Sequence, residues 1–138
     1  MAATVEFEDD SGRVVRYVRH ANGGGLVSPR ARVHEAAMVA STAYVEAGVQ
    51  VGERSRIGAG SWLDHDVIVG KDVVVAGNVH LGPRTRAEDG TWIGTGARVG
   101  SDVVIEGGAR VAPDAVVRDA VVVRRRAGAG GSKLGIAA

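Results

Sequence analysis

Residues 56–82 read RIGAGSWLDHDVIVGKDVVVAGNVHLG, and in them the apolar residues Ile57, Leu63, Val69, Val75 and Leu81 fall six apart. The same frame runs back through Val51, Val45, Val39, Val33 and Val27. It runs forward through Ala87, Ile93, Val99, Ile105, Val111, Val117 and Val123 without a slip. Four residues after each of these comes a second constant position, small or β-branched throughout, as at Ala43, Val49, Ser55, Ser61, Val67, Val73, Val79, Thr85 and Thr91. A helix repeats its apolar face about every 3.6 residues and a flat strand about every 2, and neither yields a strict period of six. A six-residue unit holds one short strand and one sharp bend. Three such units close a triangular coil, and successive coils stack at about the 4.8 Å separation of paired strands.

Bends of this kind need residues that tolerate positive φ. The slot expected to supply them carries Gly48, Gly60, Asp66, Asp72, Asn78, Gly90, Gly96, Asp102, Gly108 and Asp114. The residue directly after the apolar one is often glycine, as at Gly52, Gly58, Gly70, Gly82, Gly94 and Gly100.

This order of aliphatic, Gly/Ala/acidic, two variable, small and one further residue resembles the hexapeptide-repeat family of left-handed parallel β-helices. That family takes in bacterial hexapeptide transferases and polymer-forming repeat proteins. The resemblance covers Val27 to Val123. The left-handed sense is what the resemblance implies, because general crossover preferences run the other way. The expected fold is all-β: a single-stranded left-handed parallel β-helix, a triangular prism of about five to six coils without inserted loops, with an N-terminal β-hairpin cap.

Three regions follow. Residues 1–26 hold a hairpin, in which Val5 and Phe7 alternate with Glu6 and Glu8, Asp9-Asp10-Ser11-Gly12 turns the chain, and Val14, Val15, Tyr17 and Val18 return to a Gly-rich joint. Stacked coils leave unpaired backbone at their ends, so this hairpin reads as a cap or as an arm for a protein partner. Residues 27–123 are the repeats, and residues 124–138 form a basic, then Gly/Ala-rich tail.

The chain of 138 residues carries 17 basic and 16 acidic side chains, a net charge of +1, which argues against a nucleic-acid partner. It has no cysteine, which excludes disulfides and thiolate metal sites. The opening MAATVEFEDD lacks the basic and apolar regions of a signal peptide, and no apolar run reaches membrane-spanning length. The expectation is a cytoplasmic protein with no membrane partner.

Residues eighteen apart should stack on one face. The first face carries outward Leu26, Tyr44, Trp62, His80, Arg98 and Val116; the second carries Arg32, Gln50, Ile68, Arg86, Val104 and Val122. The third carries Met38, Arg56, Val74, Trp92 and Arg110, flanked by small residues that include Ala76 and Gly94. Outward aliphatics and tryptophan on this scale point to burial against other copies of the chain. A homotrimer packed through Met38, Val74, Trp92, Ala76 and Gly94 is expected, as the resemblance also implies.

Of the four histidines, His20 lies in the joint and His34 on the second face, and both read as plain surface residues. His80 is the candidate for chemistry. It should stack between Trp62 and Arg98, with Asp64 across the rung and His65 at the adjoining corner, and an imidazole beside a carboxylate can act as a general base. Tyr44, Trp62 and Arg98 would complete a ligand- or partner-binding face. The resemblance implies a lone catalytic histidine, glycine amides on the thioester oxygen and a pantetheine arm between subunits. The family's extruded loop and its characteristic closing turn are missing here. The zinc-binding arrangement of the related γ-class carbonic anhydrases needs three convergent histidines, and only His34 and His65 occupy comparable slots, on different coils. No metal is expected.

The unbroken coils and missing loop favour a non-enzymatic homotrimeric scaffold or assembly module, needing no cofactor. The alternative is an acyl-CoA-dependent acyltransferase with acetyl-CoA or another acyl-CoA as co-substrate and His80, aided by Asp64, as general base. A γ-carbonic-anhydrase-like zinc enzyme ranks third.

Overall fold

A computed structural model describes residues 4–126 of the chain. Of the expected tail, the part from residue 127 onward lies outside the described residues. The described chain is all-β, and beyond the hairpin every strand is two residues long, from Leu26–Val27 to Val122–Val123. These strands stack in parallel with partners eighteen residues apart, as in Tyr44↔Trp62, Trp62↔His80 and His80↔Arg98. They make three sheets of 8, 6 and 5 strands, the first including the hairpin. The three columns of outward residues fall on the three sheets as the register predicts, and no insertion interrupts the coils.

The period of six is an inside–outside code. Val45, Ile57, Leu63, Val75, Leu81, Ile93 and Ile105 are all buried in the prism. Burial of each such side chain contributes about 1.5–3 kcal/mol. The small inward position meets the next coil near a corner, where serine and threonine can knit coils together. Ser61 Oγ donates to the Ala76 carbonyl at 2.6 Å and accepts the Val79 amide at 3.0 Å. Ser55, one repeat earlier, and Thr85, four repeats later, make the same pair of bonds. Thr91 occupies an equivalent position, but its hydroxyl is buried without a partner among the described residues.

All ten expected bend residues have positive φ, and Arg54, Arg84 and Ala120 join them. The two arginines are unusual in the left-handed region. Each forks onto the aspartate one coil on: Arg54 Nε and Nη2 reach Asp72 at 2.8 and 3.1 Å, and Arg84 reaches Asp102 at the same distances. The glycines after the apolar residue have an intramolecular reason. A Cβ on Gly82 would lie 2.5 Å from the Gly100 carbonyl, and one on Gly94 would lie 2.5 Å from Pro113 nitrogen. The next coil of its own chain is thus sufficient reason for the smallness of Gly94.

The hairpin caps the head of the first sheet. Strand β1 (Thr4–Glu8) pairs antiparallel with β2 (Val14–Arg19), and β2 pairs antiparallel with Leu26–Val27 at the head of the first sheet. The joint covers the head of the third sheet, with Gly25 N donating to Val39 O at 3.0 Å and Val39 N to Asn22 O at 3.0 Å. His20, expected to be a plain surface residue, belongs to this seal through a 2.8 Å contact from Nε2 to the Ala37 carbonyl.

Ser61→Ala should cost about 1–3 kcal/mol, because it strands a buried carbonyl and a buried amide. Thr91→Val removes an orphaned hydroxyl at constant shape and should leave the melting temperature unchanged or raise it. Thermal unfolding of both variants checks the pair, and a lower melting temperature for Thr91→Val would contradict the account.

Candidate functional site

The first face has a built polar column. On it the slot after the apolar residue holds Glu46 and Asp64 in successive coils, then Gly82 and Gly100. Each acid meets the outward ring of the coil below, sixteen residues on. Trp62 Nε1 donates to Glu46 Oε2 at 2.8 Å, and His80 Nε2 lies 3.4 Å from Asp64 Oδ2. The rings of Trp62 and His80 stack with centroids 4.3 Å apart and planes at 15°. Asp64 also accepts from the His65 amide at 2.7 Å and contacts His65 Nδ1 at 2.8 Å. The expected group of His80, Asp64, Trp62 and His65 is thus assembled.

Below His80 the acidic slot becomes glycine, and a broad, shallow groove of about 740 Å³ opens. Its lining includes His80, Gly82, Arg98, Gly100, Ser101 and Arg118. With Nε2 turned to Asp64, Nδ1 of His80 has no hydrogen-bond partner among the described residues. The amides of Gly82 and Gly100 are engaged in the ladder, each 2.8 Å from a carbonyl of the next coil. They are not available to a thioester oxygen.

Other site residues fall differently. Tyr44, expected on the ligand- or partner-binding face, is half-buried beside the hairpin, with the rings of Tyr17 and Phe7 centred 5.5 and 6.4 Å away. Met38, Val74 and Trp92 are half-buried on the third face, and the Arg110 guanidinium lies 5.2 Å from the centre of the Trp92 ring. His34 faces its own turn, accepting the Ala36 amide at 2.9 Å on Nδ1. Among the described residues no three His, Asp or Glu side chains are placed to hold a metal ion. Glu46, beside the column, and Tyr17, on the hairpin, were given no role by the sequence reading; the Tyr17 hydroxyl donates to Glu46 Oε1 at 2.8 Å. For Glu46 the signal was the repeated spacing of sixteen from acid to ring.

Two titrations are shifted here. Burial, and then the hydrogen bond to Glu46, push the Tyr17 phenol far above its ordinary range, so it stays a donor. At Asp64 burial acts upward, but the hydrogen bonds from the His65 side chain and amide and from His80 outweigh it. The carboxyl is held below its ordinary value of 3.8.

No protein-family model matches the chain, and no curated protein matches it. Solved structures do. PerB from Caulobacter crescentus, in complex with CoA and GDP-perosamine, is 26% identical with a TM-score of 0.71, over 72% of this chain and 48% of that one. The acetyltransferase domain of PglB from Neisseria gonorrhoeae is 22% identical with a TM-score of 0.70, over 76% of this chain and 51% of that one. Its complex with acetyl coenzyme A is 21% identical with a TM-score of 0.64, over 71% and 53% of the two chains. The chain spans about half the length of these structures. It is a hexapeptide-repeat parallel β-helix, with the fold of these CoA-binding acetyltransferases.

Asp64 releases its proton at lower pH when folded than when unfolded, so its contribution to stability is complete above the unfolded value and is lost as pH falls through the folded one. Asp72 and Asp102, lowered chiefly by their arginine forks, act in the same direction. Stability measured by denaturant unfolding should therefore decline on acidification below about pH 4. Asp64→Asn should flatten that decline, and an unchanged slope would contradict the assignment.

Proposed function

We propose that the chain is the acyl-CoA-binding β-helix of an acyltransferase, active as a homotrimer, with His80 as general base. The observation that carries this reading is His80 itself, stacked on Trp62, turned to Asp64 through Nε2, and lining a groove that it shares with Arg98 and Arg118. The structural likeness to PerB in complex with CoA supports it and favours it over the non-enzymatic scaffold expected from the unbroken coils.

In this reading the acyl acceptor is an amine or hydroxyl. Nδ1 of His80 takes its proton as the acceptor's nitrogen or oxygen attacks the thioester carbonyl carbon. Asp64 offsets the charge that develops on the imidazolium. The tetrahedral intermediate collapses with cleavage of the carbon–sulfur bond, and the CoA thiolate leaves and takes up the proton. The guanidinium of Arg98 supplies positive charge toward the developing oxyanion, a task the engaged glycine amides leave open. Arg98 and Arg118 along the groove also suit the phosphates of CoA. The third face, with Met38, Val74 and Trp92, supplies the trimer contact that brings a second subunit against the groove.

Acetyl-CoA at a hundredfold excess over Kd should stabilise the folded protein by about 2.7 kcal/mol, read as a saturable rise in melting temperature. His80→Gln should keep that rise while turnover falls about 10²–10⁴-fold. No shift at millimolar CoA returns the scaffold reading to first place.

The trimer has its own test. Val74→Asp and Trp92→Glu should each reduce the mass in solution from trimer to monomer, measured by light scattering. A trimer retained in both variants sinks this interface.

A further inference from the structure

We infer that the N-terminal hairpin completes the candidate site: Tyr17 and Glu46 are positioning residues that hold the Trp62 indole in the plane on which His80 stacks. The inference rests on the reading of His80 as the base and extends it to residues outside the groove.

Glu46 is held from both sides. One carboxylate oxygen accepts the Tyr17 hydroxyl and the other accepts the Trp62 indole N–H, both at 2.8 Å. Tyr17 is the fixed point. It is 7% exposed, its ring packs edge-on against Phe7 and Tyr44 at 5.8 and 5.5 Å, and its phenol stays protonated. Trp62 is 41% exposed and on a flat wall would otherwise sample several rotamers. With its N–H tied to Glu46, its face is presented to the imidazole of the coil below at 4.3 Å. The contact between His80 and Asp64, at 3.4 Å, is long for a hydrogen bond and does not fix the ring by itself. The stack supplies the missing constraint. The spacing of sixteen brings Glu46 to Trp62, and Tyr17, on the separate hairpin, stands three contacts from the base: to Glu46, then to Trp62, then to His80.

The test has two arms that fail separately. In the first, the His80 Hε1 resonance, assigned by its loss in His80→Gln, is followed by NMR in the full chain without substrate. Stacked on an indole face, this proton is shielded and lies upfield. Glu46→Ala and Tyr17→Phe should move it toward the position of a free imidazole, Glu46→Gln should restore part of the upfield shift, and the melting temperature of Tyr17→Phe reports that the fold is kept. An Hε1 resonance unmoved in both Glu46→Ala and Tyr17→Phe overturns the inference. The second arm reads steady-state acetyl transfer. Glu46→Ala should lower kcat by about ten- to a hundredfold with KM for acetyl-CoA within about twofold. An unchanged kcat overturns the positioning role. A wild-type chain that neither binds nor turns over acetyl-CoA defeats the acyltransferase reading, while the NMR arm still decides whether the hairpin orients His80.

Discussion

Every coil of this molecule must lie eighteen residues from the next, and almost everything else follows from that register. The backbone ladder joins each outward residue to its equivalents above and below, so one added or lost residue would break three sheets together. It would also turn Ile57 or Leu81 from the interior to solvent. The constraint reaches the corners. A bend that recurs at fixed phase demands positive φ whether or not a glycine is present, and Arg54 and Arg84 meet the demand while forking onto Asp72 and Asp102 below them. Within the prism the same phase brings Ser61 against Ala76 and Val79 of the next coil, where its hydroxyl serves two backbone groups at once.

The site is a product of that register. Because an acid in one coil and a ring in the next are always sixteen residues apart, Glu46 reaches Trp62 in the way that Asp64 reaches His80. Two rungs of acid and ring therefore stack, and the second inherits its geometry from the first. The series ends where Gly82 and Gly100 take over the acidic slot, so the groove opens on the side of His80 away from Asp64. A flat wall with neither helix nor loop thereby gains one oriented imidazole with a carboxylate behind it and space in front.

The sequence made the fold legible because inward positions obey a strict period and the interior tolerates few residue types. Ten bends were legible for the same reason, whereas Arg54 and Arg84 were not, since their residue type argues against the conformation that their position requires. His80, Asp64 and Trp62 could be brought together because stacking is arithmetic. The contact of Tyr17 with Glu46 could not be read in that way, because Tyr17 reaches the column through an antiparallel hairpin whose placement no repeat dictates. The same hairpin sets Tyr17 and Phe7 beside Tyr44, a contact the column alone does not show. Likewise the small flank at Gly94 has a sufficient reason in its own next coil, whose backbone it accommodates.

These gaps share a cause that bears on function. The repeat encodes contacts between equivalent positions, and those contacts stabilise the prism without distinguishing one coil from another. A site needs a coil that differs from its neighbours. Here the distinguishing elements enter from outside the repeat, through the cap at the head of the first sheet, and through departures within it, where two acids give way to two glycines. An imidazole placed one coil lower, at Arg98, would have glycine in the acidic slot and lack a carboxylate behind it. One placed a coil higher, at Trp62, would meet Glu46, already shared with the hairpin, and would face no groove. His80 stands at the one rung of this face where the acid above and the opening below coincide.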